Sequence, residues 1–410
     1  MRILFTCIPL YGHFLPLMPI ARAMVEAGHE VAFATPSVLR DSVESAGFRW
    51  VRAGVEDGDP EMAAILARSR GLVGADLTRI MQVEVFAGIR PRRLVPDLLA
   101  LSEAHPPDLI VHDSQEFGGV IAAEVLGIPH AKVLVNAAGV TSPQLVAMRE
   151  EPLQRLRAAY GLPHRPIPSL VDHFLAITPF PVSLNRPDAP ISPTAHHIRL
   201  LPGDPAPSAL PAWVRGLGSR PLIYVSLGTF LSGRRGQEVF PPLLAGLRDM
   251  GAEVVVTVGD DFDPTTLGPQ PEHVHLERLL SLEALLPHCS LVVFHGGSGT
   301  LAHIVAHGLP MVIIPLGADQ PQNAARCAEL GVSRTVEPEQ LSPELIRDVV
   351  VDVLHTPSYR EHAEHLRDEF DRLPGPGFAV ELLERLARDK TPLIAPHRDG
   401  SVMGGDACAS

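Results

Sequence analysis

Six consecutive residues, His295-Gly296-Gly297-Ser298-Gly299-Thr300, set an imidazole, three glycines and two hydroxyls directly after the apolar run Leu291–Phe294. A short apolar run of that kind reads as a buried parallel strand, and the apolar-periodic stretch after Thr300 reads as a helix. Glycines at such a corner let a ligand approach the backbone. The helix start adds N–H groups without intrahelical acceptors, at the positive end of its dipole. That is chemistry for holding a phosphate. A second run, Met311–Ile314, is followed by Asp319, Gln320 and Asn323 at the start of another helix. Polar groups there can face the same crevice, at the carboxyl ends of parallel strands. Ser226-Leu227-Gly228-Thr229 ends a further strand, and two such clusters converging would bind a diphosphate better than one. Alone, that tetrapeptide is as readily a capped helix start.

A second kind of chemistry is proton transfer. His13 follows the first strand in Tyr11-Gly12-His13-Phe14. A histidine with an unperturbed pKa of ~6.5 suits a general base near neutral pH, and such a base contributes roughly 100- to 10,000-fold to rate. A satisfied structural histidine is the equal alternative from this loop alone. Asp113, at the end of a later strand, could accept from the imidazole and fix its tautomer; capping the next helix, with Ser114 sharing the task, is the other reading.

The elements that must position these groups alternate. Strands are expected at Arg2–Ile8, Glu30–Ala34, Phe48–Val51, Leu109–His112, His130–Val135 and Phe174–Ile177, with Pro9–Phe14 a loop and helices over Leu15–Ala27, Pro36–Ala46, Leu77–Ala104 and Phe117–Leu126. The segment 53–75 reads as an irregular loop, and 136–168 as irregular with one helix near Leu153–Tyr160. Proline is dense from Pro179 to Pro221, which marks a linker. A second series follows, with strands at Leu222–Ser226, Glu253–Val258, His273–Leu276, Leu291–Phe294 and Met311–Ile314, then helices at Pro343–Leu354, Ser358–Leu373 and Gly377–Ala387. This alternation predicts an α/β protein of two Rossmann-like, doubly wound parallel-sheet domains facing across a cleft. The boundaries fall at residues 1–200, a linker at 201–220, 221–373, a helix at 374–390 placed to cross back to the first domain, and an aperiodic tail at 391–410 expected to be disordered.

Composition narrows the partners. A chain of 410 residues exceeds what one hydrophobic core usually supports, and 46% hydrophobic residues can build two. A net charge of -13 disfavours nucleic acid and anionic membrane surfaces. Cys7, Cys289, Cys327 and Cys408 lack metal-site or disulfide-framework spacing, which fits a reducing cytoplasm. The N-terminus superficially resembles a signal peptide, but Pro9, Gly12, His13, Pro16 and Pro19 interrupt its apolar region. No run reaches the ~18 apolar residues of a membrane span.

Together these residues resemble the GT-B glycosyltransferases, most of all the bacterial antibiotic and macrolide glycosyltransferases that are similar to the UDP-glycosyltransferases. The resemblance covers residues 1 to about 390. It is most specific over His295–Val332, with support from Tyr11–Val31 and Tyr224–Phe230. It implies an acceptor-binding first domain and a donor-binding second one. His13 would be the base and Asp113 its partner. Thr229, His295, Gly297, Ser298, Gly299 and Thr300 would hold the diphosphate; Asp319 and Gln320 would meet the donor sugar, with Asn323 nearby; Leu279 and Leu280 would flank the nucleobase. Leu279 stands where many relatives carry Trp, and Ser281 where Pro is usual. The implied reaction is an inverting transfer of a (deoxy)sugar from a dTDP- or UDP-sugar to a hydroxyl of a small hydrophobic natural product. It needs neither metal nor cofactor, and a homodimer is compatible with it. Segments 54–89 and 137–174, carrying Met62, Met81, Phe86, Met148 and Phe174, would wall the acceptor pocket.

Three rivals remain at this stage. Gly297–Ala302 fits G-x-G-x-x-A with Asp319 twenty residues past Gly299, as in an NAD-dependent oxidoreductase. Asp57-Gly58-Asp59 and Asp261-Phe262-Asp263 fit the D-x-D of metal-dependent transferases. A non-catalytic nucleotide-sugar-binding helper would share the donor site, but the His13–Asp113 pair favours an intact catalyst.

Overall fold

The computed structural model describes residues 1–72, 74–137, 143–188, 191–203, 209–218 and 220–396; the side chains of Arg215 and of residues 229–234 lie outside that description, as do residues 397–410 of the tail with Cys408. Two parallel sheets carry the chain. The first holds β1 (Arg2–Thr6), β2 (Glu30–Thr35), β3 (Arg49–Arg52), β4 (Leu109–Asp113), β5 (His130–Val133), β6 (Leu175–Thr178) and β7 (Ala195–His197), in the order β3-β2-β1-β4-β5-β6-β7. The second holds β8 (Leu222–Ser226), β9 (Glu253–Thr257), β10 (Val274–Glu277), β11 (Leu291–Phe294), β12 (Met311–Ile313) and β13 (Ser333–Thr335), in the order β10-β9-β8-β11-β12-β13. The central strands are Val-, Ile- and Leu-rich because helices cover both faces, as parallel sheets require.

Each sheet reverses winding direction once, between β1 and β4 in the first and between β8 and β11 in the second. Register there pairs Thr6 with His112 and Ser226 with Phe294, so the chain leaves each switch point at matched heights. Open α/β sheets form their crevices at such points, beyond the carboxyl ends of the strands.

Several elements depart from expectation. The helix after β1 begins at Tyr11, so His13 lies in a first helical turn and not in a loop. Segment 53–75 contains a helix, Pro60–Ser69, whose start is fixed by Asp59 accepting from the N–H groups of Glu61 (2.9 Å) and Met62 (3.1 Å). The helix near Leu153 runs over Pro143–Ala159, and a short helix, Ile167–Val171, follows. β7 lies inside the proline-dense stretch, and β13 falls where no strand was expected. Between the helices Gly74–Arg79 and Arg90–Ala104 the chain makes a π-helical segment, Ile80–Ile89.

The first core gathers Phe5, Phe14, Phe33 and Phe48, with Phe5 stacked on Phe33 at 5.0 Å. It also takes Leu382, Leu383 and Leu386 from the helix Pro376–Asp389, and Leu393 beyond it. Burying four leucines is worth roughly 6–12 kcal/mol before the entropy of ordering the segment. The tail is tied down at its start: Leu393 donates its N–H to the Phe174 carbonyl at 2.8 Å and Ala395 to that of Pro193 at 2.8 Å. Two further clusters sandwich the second sheet. Among the described residues, no helix is long and apolar enough to cross a membrane.

Candidate active site

A cavity of about 300 Å³ opens between the two switch points, with walls from both sheets. His13 comes from the first helical turn after β1 and Asp113 from the end of β4. The imidazole Nδ1 stands 3.1 Å from Asp113 Oδ1, at ion-pair distance though off the alignment of a full hydrogen bond. Asp113 is fully buried and accepts from the N–H of Ile8 and of Gln115, both at 2.7 Å. Burial opposes its ionisation, but the neighbouring His13 and these donors outweigh burial and hold its pKa below the usual carboxylate value. A buried, ionised, immobile carboxylate fixes one imidazole nitrogen as N–H and leaves the other as a base. His13 itself stays 14% exposed and lines the cavity.

Opposite, the helix Ser298–Ala306 points its start at the same space, with Gly297, Ser298, Gly299 and Thr300 on the wall. A Cβ on Gly299 would meet nothing within 4 Å, so the first turn is open to a ligand. The His295 ring is wedged between glycines. A Cβ on Gly297 would stand 2.3 Å from its Nε2, and one on Gly228 2.7 Å from its Cε1. Burial pulls the His295 pKa down to about 4, with Asp319 acting the other way. The ring is therefore neutral at physiological pH, a state in which one ring nitrogen carries an N–H. Thr229 belongs to the helix Gly228–Leu247, but its side chain lies outside the described residues.

Asp319 and Gln320 line the cavity, whereas Asn323 does not. Asn323 is fully buried and donates to Gly296 O (2.9 Å), Ser298 Oγ (2.9 Å) and Asp319 Oδ2 (3.1 Å), which makes it a positioning residue. The Ser298 hydroxyl points at Asp319 Oδ2, 2.5 Å away, so what the serine offers an anion is its backbone N–H. Ala318, just before Asp319, adopts φ 53°, a left-handed conformation uncommon outside glycine and frequent at functional sites. Leu279 is exposed on the cavity rim and Leu280 is buried beneath it. Ser281, in place of the usual Pro, caps the next short helix by accepting from Ala284 N at 3.2 Å.

Both D-x-D matches are structural. Asp59 is the cap described above, and Asp263 accepts from Thr265 N at 3.0 Å to cap a 3₁₀ turn. Of the residues expected along the acceptor pocket, Phe86 and Met62 pack near a small second cavity, while Phe174 packs into the first core against His130.

Comparison with known proteins agrees with this geometry. Residues 242–386 match the family "Erythromycin biosynthesis protein CIII-like, C-terminal domain". Tylactone mycaminosyltransferase of Streptomyces fradiae is 30% identical over 438 residues, covering 98% of this chain and 94% of its own. The chain belongs to the antibiotic glycosyltransferases. The TDP-daunosamine transferase DnrS of Streptomyces peucetius is 29% identical, with 96% of this chain and 98% of that one covered. The glycosyltransferase VinC, solved in complex with dTDP, superposes with a TM-score of 0.75 at 29% identity, over 95% of this chain and all (100%) of that one.

The fold of this antibiotic glycosyltransferase is accordingly GT-B, and the oxidoreductase and helper readings give way to a transferase. Some of its site residues carried no signal in the sequence. Asn136, Arg278 and the Tyr224–Thr257 hydroxyl pair (2.8 Å) also line the cavity. Tyr224 and Thr257 read as plain strand residues, since only the pairing of β8 with β9 brings them together.

Proposed function

We propose that this enzyme transfers a deoxysugar from a dTDP-sugar to a hydroxyl of a hydrophobic polyketide-type aglycone, with inversion at the anomeric carbon. The observation that carries this reading is the pair His13–Asp113, on the wall of one cavity whose other wall is the helix start Gly297–Thr300. His13 takes the acceptor proton as its oxygen attacks the anomeric carbon. The diphosphate leaves toward the helix start and the neutral His295, whose fixed N–H groups stabilise the developing charge without reorganising. Each such donor supplies roughly 3–4 kcal/mol of transition-state stabilisation, so the reading requires no metal or cofactor. Asp319 and Gln320 face the donor sugar in this reading. Leu279 and Leu280 offer the thymine methyl an apolar wall, and the dTDP bound to VinC and the TDP in the name of DnrS support that choice of donor. The enzyme would act in the cytoplasm, in keeping with its free buried Cys7, Cys289 and Cys327.

The test is transfer from matched dTDP- and UDP-sugars to a macrolactone, with dTDP affinity measured alongside. In His13→Ala, dTDP binding should persist while turnover falls at least ~100-fold. Turnover like wild type would remove His13 from the mechanism.

A further inference from the structure

Behind the base pair lies a second, smaller cavity of about 20 Å³, walled by Cys7, Phe86, Arg90, Gln115, Glu116 and Phe117. Its wall is linked to that of the large cavity: Gln115 Nε2 donates at 3.0 Å to Asn136 Oδ1, and Asn136 lines the main cavity. Two residues of the small cavity's wall are the catalytic pair's own supports, since Ile8 and Gln115 both donate their N–H to Asp113.

Arg90 stands apart in this wall. Its Nε is buried with no hydrogen-bond partner among the described residues. A buried guanidinium nitrogen without an acceptor is costly, so such a group marks a place where an acceptor arrives. The carboxylate in the same wall is already engaged. Glu116 accepts from Thr6 Oγ1 (2.5 Å) and from the N–H groups of Gly118 and Gly119. Arg149 donates to Gln82 Oε1 at 2.6 Å and covers Phe117 at 5.4 Å, fixing that ring as an apolar wall. The π-helical segment Ile80–Ile89 ends directly before Arg90, and π-turns recur at functional sites. Gly88 permits this winding, because a Cβ there would stand 2.8 Å from the Val83 carbonyl oxygen.

We propose that Arg90 is an acceptor-recognition residue whose guanidinium donates to one carbonyl oxygen of the aglycone. This rests on the transferase reading above. The size of the cavity admits a single water-sized group, which suits a ketone oxygen and excludes the two oxygens of a carboxylate. Charge agrees, because Asp113 is held ionised and the Glu116 pKa, raised by burial to about 7, lets it share a negative charge. A second anion would be repelled, whereas a neutral carbonyl is not.

The experiment compares a macrolactone bearing a ring ketone with the same macrolactone reduced to the alcohol, using wild type, Arg90→Met and Arg90→Lys. Wild type should favour the ketone. Arg90→Met should raise the KM for the ketone about 10- to 100-fold, the usual effect of losing a charged hydrogen bond, with kcat little changed. The ketone and alcohol should become equivalent, and Arg90→Lys should recover part of the preference. An unchanged KM in Arg90→Met, or an equal loss on both probes with a lowered Tm, means a water-filled or purely structural cavity and overturns the assignment. Dissociation constants for dTDP on the same samples separate the two levels. Intact dTDP binding with no ketone preference in wild type sinks the carbonyl assignment alone; absent dTDP binding sinks the donor reading and this inference with it.

Discussion

The backbone N–H of Ala137, after β5 of the first sheet, donates to the hydroxyl of Ser298 in the second domain at 2.8 Å, across 161 residues of sequence. That hydroxyl also donates to Asp319 Oδ2 and accepts from Asn323 Nδ2. One donor and two lone pairs are thus all engaged. The junction of the two lobes is tied to the carboxylate proposed to hold the donor sugar.

Ser298→Ala should therefore act on both. It leaves the Ala137 N–H short of a partner in a buried setting and takes one donor from Asp319 Oδ2, a loss of about 1–3 kcal/mol in stability. The kcat/KM for the donor should fall more than the KM for the acceptor rises, because Asp319 loses its alignment. Thermal unfolding and initial rates measure the two effects; a variant with wild-type donor kinetics would show that the contact only joins the lobes.

Gly297→Ala tests the wedge around His295. The new methyl would overlap the imidazole Nε2, 2.3 Å away, so the ring must rotate out of its place beside the helix start. Affinity for dTDP should drop at least ~10-fold, the worth of one lost charge-assisted hydrogen bond, with affinity for the nucleoside thymidine much less affected. Equal losses for thymidine and dTDP would mean that His295 does not face the phosphates.

Buried groups set the pH dependence of stability, and burial lowers the pKa of His130 in the same sense as those of the two histidines below. Burial lowers the pKa values of His112 and His295 to about 4, against ~6.5 in the unfolded chain. Their contribution is complete above pH ~6.5 and is lost as pH falls through 4, about 3 kcal/mol each. Burial raises Glu116 to about 7, so its contribution is present below ~4.3 and is lost as pH rises through 7. Two histidines outweigh one glutamate between those limits, which puts the stability maximum near pH 6 to 7. In Glu116→Gln the decline above that maximum should flatten. Urea unfolding from pH 4 to 9 measures it, and an alkaline decline as steep as that of wild type would show that another group causes it.

Much of this arrangement is legible in the sequence because parallel strands buried on both faces are written as unbroken Val, Ile and Leu, as in Leu291–Phe294. His13, Asp113 and His295 could be placed because each follows such a run. Other parts left weaker traces. Ala195–His197 and Ser333–Thr335 are three-residue edge strands, too short to show a period. Asp59-Pro60-Glu61 did carry a helix-start signal, a capping Asp before Pro, but the glycines around it pointed to a loop. Arg90 looks like any charged residue at a helix start, and only the fold shows its Nε buried in the wall of the small cavity. The Ala137 donor is a backbone group, for which no residue type is diagnostic.

The crossing helix Pro376–Asp389 has a consequence for building hybrid enzymes. Because its leucines complete the core around Phe5 and Phe33, the lobe proposed to meet the aglycone is built from two segments far apart in the sequence, not from residues 1–200 alone. A chimera cut once, near residue 220, would join a foreign C-terminal helix to a surface shaped for this one. Exchanging donor specificity between relatives calls for two junctions, with the segment after Leu373 travelling with residues 1–200.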